Sequence, residues 1–227
     1  MPAHRSGARQ GRPRVAASQH DARKKRGRAY IRLVPRAASM ARTLQSAARR
    51  DSESHAMKLL PLDNPALIEL VAGWLGREEN NKWLDFGNGI GAPTAVSLKI
   101  MTQRDVHVLR AYTPDGSDLP IGVVGLSNVD RRFKSAGSLW AVLGNKRYGG
   151  FARRAASKLL TYGFRELGLE VIGAWTVEIN VASRRALEQL HFRYIGRQRR
   201  CHWIDGQPHD RLLYDLLATE HEDLPDD

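Results

Sequence analysis

Cysteine is nearly absent: Cys201 stands alone in 227 residues, so no intrachain disulfide can form and no cysteine-rich metal site can be assembled. A reducing compartment, the cytoplasm, is the expected setting. Long apolar runs are missing as well. The run from Ile121 to Leu126 already contains two glycines, and nothing approaches the ~20 residues of a membrane span. No apolar h-region precedes the first charged segments, which argues against a secretory signal. Acids are scarce at the start, the first being Asp21. Residues 1–56 hold 14 of the 36 Lys and Arg and 3 of the 24 Asp and Glu, a balance of +11. Residues 57–227 hold the other 22 and 21, a balance of +1. The basic character therefore belongs to a tail. Nothing in the remaining chain demands a nucleic-acid partner.

The tail, 1–56, is rich in Arg, Ala and Ser, with its densest cluster at Arg23, Lys24, Lys25, Arg26 and Arg28. It has too few large apolar residues to offset chain entropy and is expected to be disordered. Four readings stay open: RNA or acidic-surface binding, an organelle transit segment, a nuclear or polyanion-binding run, or a start assigned too far upstream. Met40 and Met57 suit the last, because Met57 sits directly before the first strand-like run.

From Met57 onward the pattern is that of one domain, 57–218, followed by a short acidic tail, 219–227. Lys58 to Leu62 reads as a strand. Asn64 and Pro65 read as N-cap and N1 of a helix carrying Leu67, Ile68, Val71, Trp74 and Leu75 at helical spacing, with Gly76 as its stop. Asn80 to Gly91 reads as loop, and Pro93 to Met101 as a second helix. Val106 to Tyr112, Ile121 to Val129 and Ser138 to Leu143 read as strands, with a turn at Pro114-Asp115-Gly116. Gly149-Gly150 opens a long helix that ends near Gly168. Val171 to Val177 is a strand, Val181 to Leu190 a helix, and Phe192 to Trp203 and Arg211 to Leu217 are strands joined through Asp205-Gly206. Interleaved helices and hairpins imply an α/β domain with a mixed sheet flanked by helices.

The chemistry concentrates between the strand ending at Leu143 and the helix opening at Gly149. Glycines at a strand-to-helix turn let backbone amides approach a ligand, and free N–H groups with the helix dipole favour an anion such as a pyrophosphate. The loop adds Lys146 and Arg147, and Arg153 and Arg154 follow. It is neither a G-K-[ST] phosphate loop nor a G-x-G-x-x-G fingerprint.

Arg147-Tyr148-Gly149-Gly150-Phe151-Ala152 resembles the acyl-CoA signature [QR]-x-x-G-x-[GA] of the GNAT N-acetyltransferases, and it lies between the fourth strand and the long helix, as in that family. Asn180-Val181-Ala182-Ser183 is similar to the N-x-x-S element after the fifth strand, and Leu190-His191-Phe192 stands where L-G-F often occurs. Gly196 through Asp205-Gly206, Asp210 and Tyr214 look like the closing hairpin of the branch that includes ribosomal-protein N-terminal acetyltransferases. The resemblance spans about Lys58 to Leu217. It implies a GNAT fold, a mostly antiparallel mixed sheet of six to seven strands with about four helices. It implies an enzyme with acetyl-CoA as cosubstrate and an amine as acceptor. Backbone amides of Tyr148, Gly149, Gly150, Phe151 and Ala152, with Arg147, are then expected to hold the pyrophosphate. Val142 and Leu143 are expected to pair with the pantetheine arm, Asn180 to hydrogen-bond it, and Ser183 to lie near the thioester sulfur. Read without the resemblance, Asn180 and Ser183 are a helix-capping pair.

A neutral amine must attack the thioester, so a proton must leave it, directly or through water. The Glu that relatives carry on the fourth strand falls at Gly137 or Ser138 here, and Leu187 occupies the place of a helix Tyr used elsewhere in the superfamily. Ser183 and Glu178 are the catalytic candidates; Glu178 also fits a solvated strand end. The missing carboxylate keeps a second class open, an acyl-CoA-binding module without turnover. Glu78, Glu79 and Asp85 read as a solvated loop, with attraction of a cationic amine as the alternative, since the resemblance puts them on the acceptor side. Trp83 and Phe86 read as packing of the second helix or lining of the acceptor pocket, Trp140 as core on a strand bordering the acceptor channel, and His202 and Cys201 as structural. No metal is expected. Oligomeric state is left open, and nucleic acid enters only through the tail.

Overall fold

The computed structural model describes residues 57–87, 91–114 and 117–224; the expectations for residues 1–56, for the turn at Asp115-Gly116 and for residues 225–227 lie outside them. β1 (Met57–Pro61) leads into α1 (Pro65–Leu75). Asn64 Oδ1 accepts the Ala66 amide at 2.8 Å with Pro65 at N1, and Ile68, Val71, Trp74 and Leu75 are buried, as the spacing predicts. A single-turn α2 (Glu78–Asn81) stands where loop was expected to begin. α3 (Ala95–Thr102) starts later than Pro93, because Thr94 is the cap: its Oγ1 accepts the Ser97 amide at 3.1 Å. Leu98 is its buried anchor and Met101 packs inward, while Ile100 stays exposed.

β2 (His107–Pro114), β3 (Gly122–Asp130) and β4 (Ser135–Leu143) follow. A 3-10 turn at Lys146–Tyr148 enters α4 (Gly149–Thr161), which continues as a π turn over Tyr162–Glu166. Gly168 then reverses the chain at φ +66°. β5 (Val171–Val177), α5 (Val181–Gln189), β6 (Arg193–Ile204) and β7 (Gln207–Leu217) complete the domain, with a 3-10 turn at Ala218–Glu220. The seven strands form one sheet in the order β1-β2-β3-β4-β5-β7-β6. All pairs are antiparallel except β4 with β5.

Two cores cover the two faces. On one, α4 and α5 pack Ala155, Leu159, Leu160, Phe164 and Leu187 against Val124, Leu126, Ile172, Tyr214 and Leu216. On the other, Trp74, Leu75 and Leu98 pack against Leu109, Ala111, Val123 and Val142. The acidic end does not simply trail away. His221 Nε2 lies 2.8 Å from Thr161 Oγ1, Asp223 hydrogen-bonds Thr161 and Arg165, and the Leu224 amide donates to Ser157 Oγ at 3.1 Å.

Candidate active site

The site begins at a fault in the sheet. β4 and β5 pair through Ser135↔Val171, Ala136↔Ile172 and Leu139↔Ala174, so β4 carries one residue more than β5 between the last two pairs. Such a bulge bends the strand and ends regular pairing. Gly173 sits at the vertex: a Cβ there would lie 2.8 Å from the Gly137 carbonyl oxygen. Beyond Leu139, β4 stays paired with β3 as far as Leu143↔Gly122, and β5 with β7 as far as Val177↔Arg211. The two strands diverge, leaving facing backbone groups of Trp140–Leu143 and Trp175–Val177 without a strand partner. Backbone N–H and C=O groups require partners, so the wedge suits an extended ligand carrying amides of its own. Val142 is the more committed of the predicted pair, because its carbonyl also accepts the buried Tyr112 hydroxyl at 3.2 Å. Burial pushes that hydroxyl's pKa upward.

The wedge opens toward the start of α4. The Gly144 amide donates to the Ile121 carbonyl at 2.8 Å and its carbonyl accepts Arg77 Nη1 at 2.5 Å. A Cβ on Gly144 would meet the Trp74 ring at 2.6 Å, so glycine is needed to lay the loop on α1. Asn145 Oδ1 accepts the Arg147 amide at 3.1 Å. The Arg147 guanidinium lies 5.0 Å from the Tyr148 ring centre and donates to its hydroxyl at 3.0 Å. The first turn of α4 has no acidic side chain, and a Cβ at Gly150 would meet nothing within 4 Å. Its amides are oriented for an anion and its surface is clear for one. Arg153 Nη1 donates to Gln189 Oε1 at 2.9 Å, tying α4 to α5.

Asn180 and Ser183 lie at the start of α5, just past the end of β5. Asn180 Oδ1 accepts the Ser183 amide at 3.1 Å, the capping pair. That bond leaves the Asn180 amide nitrogen and the Ser183 hydroxyl outside the cap. Glu178 is braced differently. Its Oε1 accepts the Asp210 amide at 3.1 Å and lies 3.8 Å from His209 Nδ1, and its own amide donates to the Asp210 carbonyl at 3.0 Å. Leu187 is buried among Leu190 and Phe192 in the core. The bulge itself occupies Gly137-Ser138, the place of the missing carboxylate.

Across the sheet from α4 lies an aromatic wall that sequence reasoning treated as packing or pocket lining. Trp140 lies over Gly125, donates its indole N–H to Ser127 Oγ at 3.0 Å, and meets Phe86 edge-on at 5.1 Å. Asp85 is an exposed loop residue, as expected, but it has a fixed partner. Its Oδ2 is 2.6 Å from Arg211 Nη2, and that hydrogen bond is the main cause holding its carboxyl below the ordinary 3.8. The Arg211 guanidinium lies 4.1 Å from the Trp175 ring centre. Neither Arg211 nor Trp175 carried a sequence signal. Their roles come from strand order, which a linear pattern does not contain. Among the described residues no group of His, Cys, Asp and Glu could hold a metal ion.

A family model for the acetyltransferase (GNAT) domain matches residues 43–193. The chain belongs to the GNAT acetyltransferases. These are acyl-CoA-dependent N-acyltransferases whose cosubstrate is acetyl-CoA. This GNAT domain is similar to the putative ribosomal N-acetyltransferase YdaF of Bacillus subtilis (strain 168), 29% identical over 170 residues, which are 72% of this chain and 91% of that protein. It is also 31% identical over 97 residues to the uncharacterized N-acetyltransferase YoaA of the same organism, covering 43% of this chain and 55% of YoaA. The chain thus spans about half of YoaA's length. Of solved structures, the spermidine N-acetyltransferase of Vibrio cholerae, in complex with CoA and spermine, aligns with TM-score 0.64 at 16% identity, covering 73% of this chain and 97% of that one. Mycobacterium smegmatis RimJ, in complex with CoA-disulfide, aligns with TM-score 0.60 at 20% identity over 72% and 83%. At such identities these two structures show the shared GNAT fold. Among the described residues, no helix of the GNAT domain is long and apolar enough to cross a membrane.

Proposed function

We propose that this domain moves an acetyl group from acetyl-CoA to the primary amine of a small molecule or a protein N-terminus. The observation that carries the reading is the divergence of β4 and β5 directly beside the acid-free start of α4. The donor fits these residues. Amides of Tyr148 to Ala152 and the Arg147 side chain face its pyrophosphate, the free edge at Leu143, beside Val142, meets the pantetheine amides, and Asn180 offers its amide nitrogen. The neutral amine attacks the thioester carbon; a C–N bond forms and the C–S bond breaks. The Ser183 hydroxyl donates a hydrogen bond to the developing thiolate, and water takes the proton from the amine and returns one to the sulfur, leaving Ser183 unchanged. With no carboxylate on β4, positioning in the wedge carries more of the rate. The names of relatives, ribosomal in one case and spermidine in the other, support both acceptor classes. Cysteine usage supports a cytoplasmic setting, and any nucleic-acid contact belongs to residues 1–56.

The test is release of free thiol from acetyl-CoA with spermine and with short peptides bearing free N-termini. Turnover with either is expected. Tight acetyl-CoA binding with no thiol release from any amine would make the chain a binding module instead.

A further inference from the structure

The short segment Lys82 to Phe86 touches Trp140 of β4 directly and, through Arg211 of β7, reaches the Trp175 ring of β5. On the β4 lip, Phe86 packs edge-on against Trp140. On the β5 lip, Asp85 pairs with Arg211, whose guanidinium covers Trp175. Arg211 and Trp175 share a face because β7 lies beside β5, with Trp175 opposite Leu213 and Val177 opposite Arg211. His202 completes the arrangement from β6. Arginine only donates, so His202 Nδ1 accepts from Arg211 at 3.0 Å, and Nε2–H donates to the Lys82 carbonyl at 2.7 Å. The imidazole ring also lies 5.7 Å from Trp175. Asp85 and Arg211 keep side-chain exposures of 33% and 16%. A pair so placed is screened less than a fully exposed one, and Arg211 is fixed in direction by its second partner, His202.

We propose that Asp85, Arg211 and His202 form a latch that seats the Lys82–Phe86 segment across the divergence of β4 and β5 and so shapes the mouth through which the amine acceptor enters. This rests on the acetyl-transfer reading above. Arg211 and His202 are positioning residues: they act through Asp85, the Lys82 carbonyl and Phe86 and do no chemistry. The occupant of the mouth is an amine on a slender chain, because the edge-on Phe86–Trp140 pair walls its β4 side with aromatic surface while Arg211 already covers the Trp175 ring on the other.

The latch has a pH sense. His202 must stay neutral at Nδ1 to accept from Arg211. Burial is the main cause holding its pKa below 6.5, opposed by the Lys82 carbonyl and Asp85 and reinforced by Arg211 and His209. Glu178 also faces this corner through His209. Acid is expected to loosen the segment.

The experiment uses the full chain as D85N, R211Q and the double variant. Hydrogen exchange of peptides covering 78–87 is expected to quicken at least fivefold in each variant, with no added gain in the double, while strands β3 and β5 stay protected. With spermine and a serine-initiated hexapeptide as amine probes, the acceptor KM is expected to rise about tenfold, worth ~1.4 kcal/mol. The acetyl-CoA KM is expected to stay within twofold. Unchanged exchange at 78–87 overturns the latch. So does a rise of both KM values together with a lower Tm, which assigns Arg211 to general stability. If neither amine is turned over by the native protein, the transfer reading fails, and the exchange experiment still decides the latch.

Discussion

At the residue scale the question is which side chain meets the leaving sulfur. Ser183 has a hydroxyl that its helix cap does not use, because the cap runs from the Ser183 amide to Asn180 Oδ1. Glu178 has a carboxylate already engaged, with Oε1 holding the Asp210 amide. Charge develops on sulfur in the transition state, and loss of one donor aimed at such charge costs on the order of a hundredfold in rate. Ser183→Ala is therefore expected to lower kcat about a hundredfold while the acetyl-CoA Kd changes little. Glu178→Gln keeps an oxygen acceptor for Asp210 and is expected to do far less. Steady-state thiol release with calorimetry of acetyl-CoA binding separates the two. An inactive Glu178→Gln beside a normal Ser183→Ala would make Glu178 the base and Ser183 a cap only. His191 shows the same scale at work on the backbone. It holds φ +64°, a conformation that costs a non-glycine residue about 1–2 kcal/mol.

At the element scale the start of α4 carries the proposed donor site. Gly150 is open: a Cβ there would meet nothing within 4 Å beyond its own turn of helix. Gly150→Glu is expected to fold normally yet place a carboxylate at the amides meant for a pyrophosphate, weakening acetyl-CoA binding at least a hundredfold by calorimetry. Unchanged affinity in the folded variant would move the donor away from this turn. This element was legible in the sequence because glycines, arginines and helical spacing lie within one short stretch. So were α1, from Asn64, Pro65 and Gly76, and the Asp205-Gly206 turn, where both residues take positive φ. The insertion of β7 between β5 and β6 was not legible, since strand order depends on pairings across the whole domain. The β4 bulge was visible only as a missing carboxylate. The Asp85–Arg211 pair joins residues 126 positions apart, beyond any local pattern, so the sequence showed Asp85 as an exposed loop residue but not its partner. The π turn after α4 was hidden because Phe164 falls on the same apolar face in either winding.

At the scale of the whole molecule, three partly or fully buried histidines and two hydrogen-bonded aspartates tie stability to pH in one direction. His107, His202 and His221 all have pKa values held below 6.5, with burial the leading cause in each. Asp85 and Asp223 are held below 3.8, chiefly by hydrogen bonds from Arg211 and Thr161. In every case the unfolded chain binds protons more readily than the folded one, so stability rises with pH through each window. The histidine share is fully present above 6.5 and is lost as pH falls below it; the aspartate share is lost below about 3.8. These groups sit at distant places: His202 and Asp85 hold the acceptor segment, while His221 and Asp223 pin the C-terminal turn to α4 through Thr161. Acid is thus expected to release both in the same range. Calorimetric Tm should be level above about pH 7, decline from pH 6.5 to 5, and fall again below pH 4. His221→Gln should flatten the first decline without abolishing it, because His107 and His202 still contribute. A Tm that holds level or rises between pH 7 and 5 would show that these imidazoles are as accessible in the folded protein as in the unfolded chain.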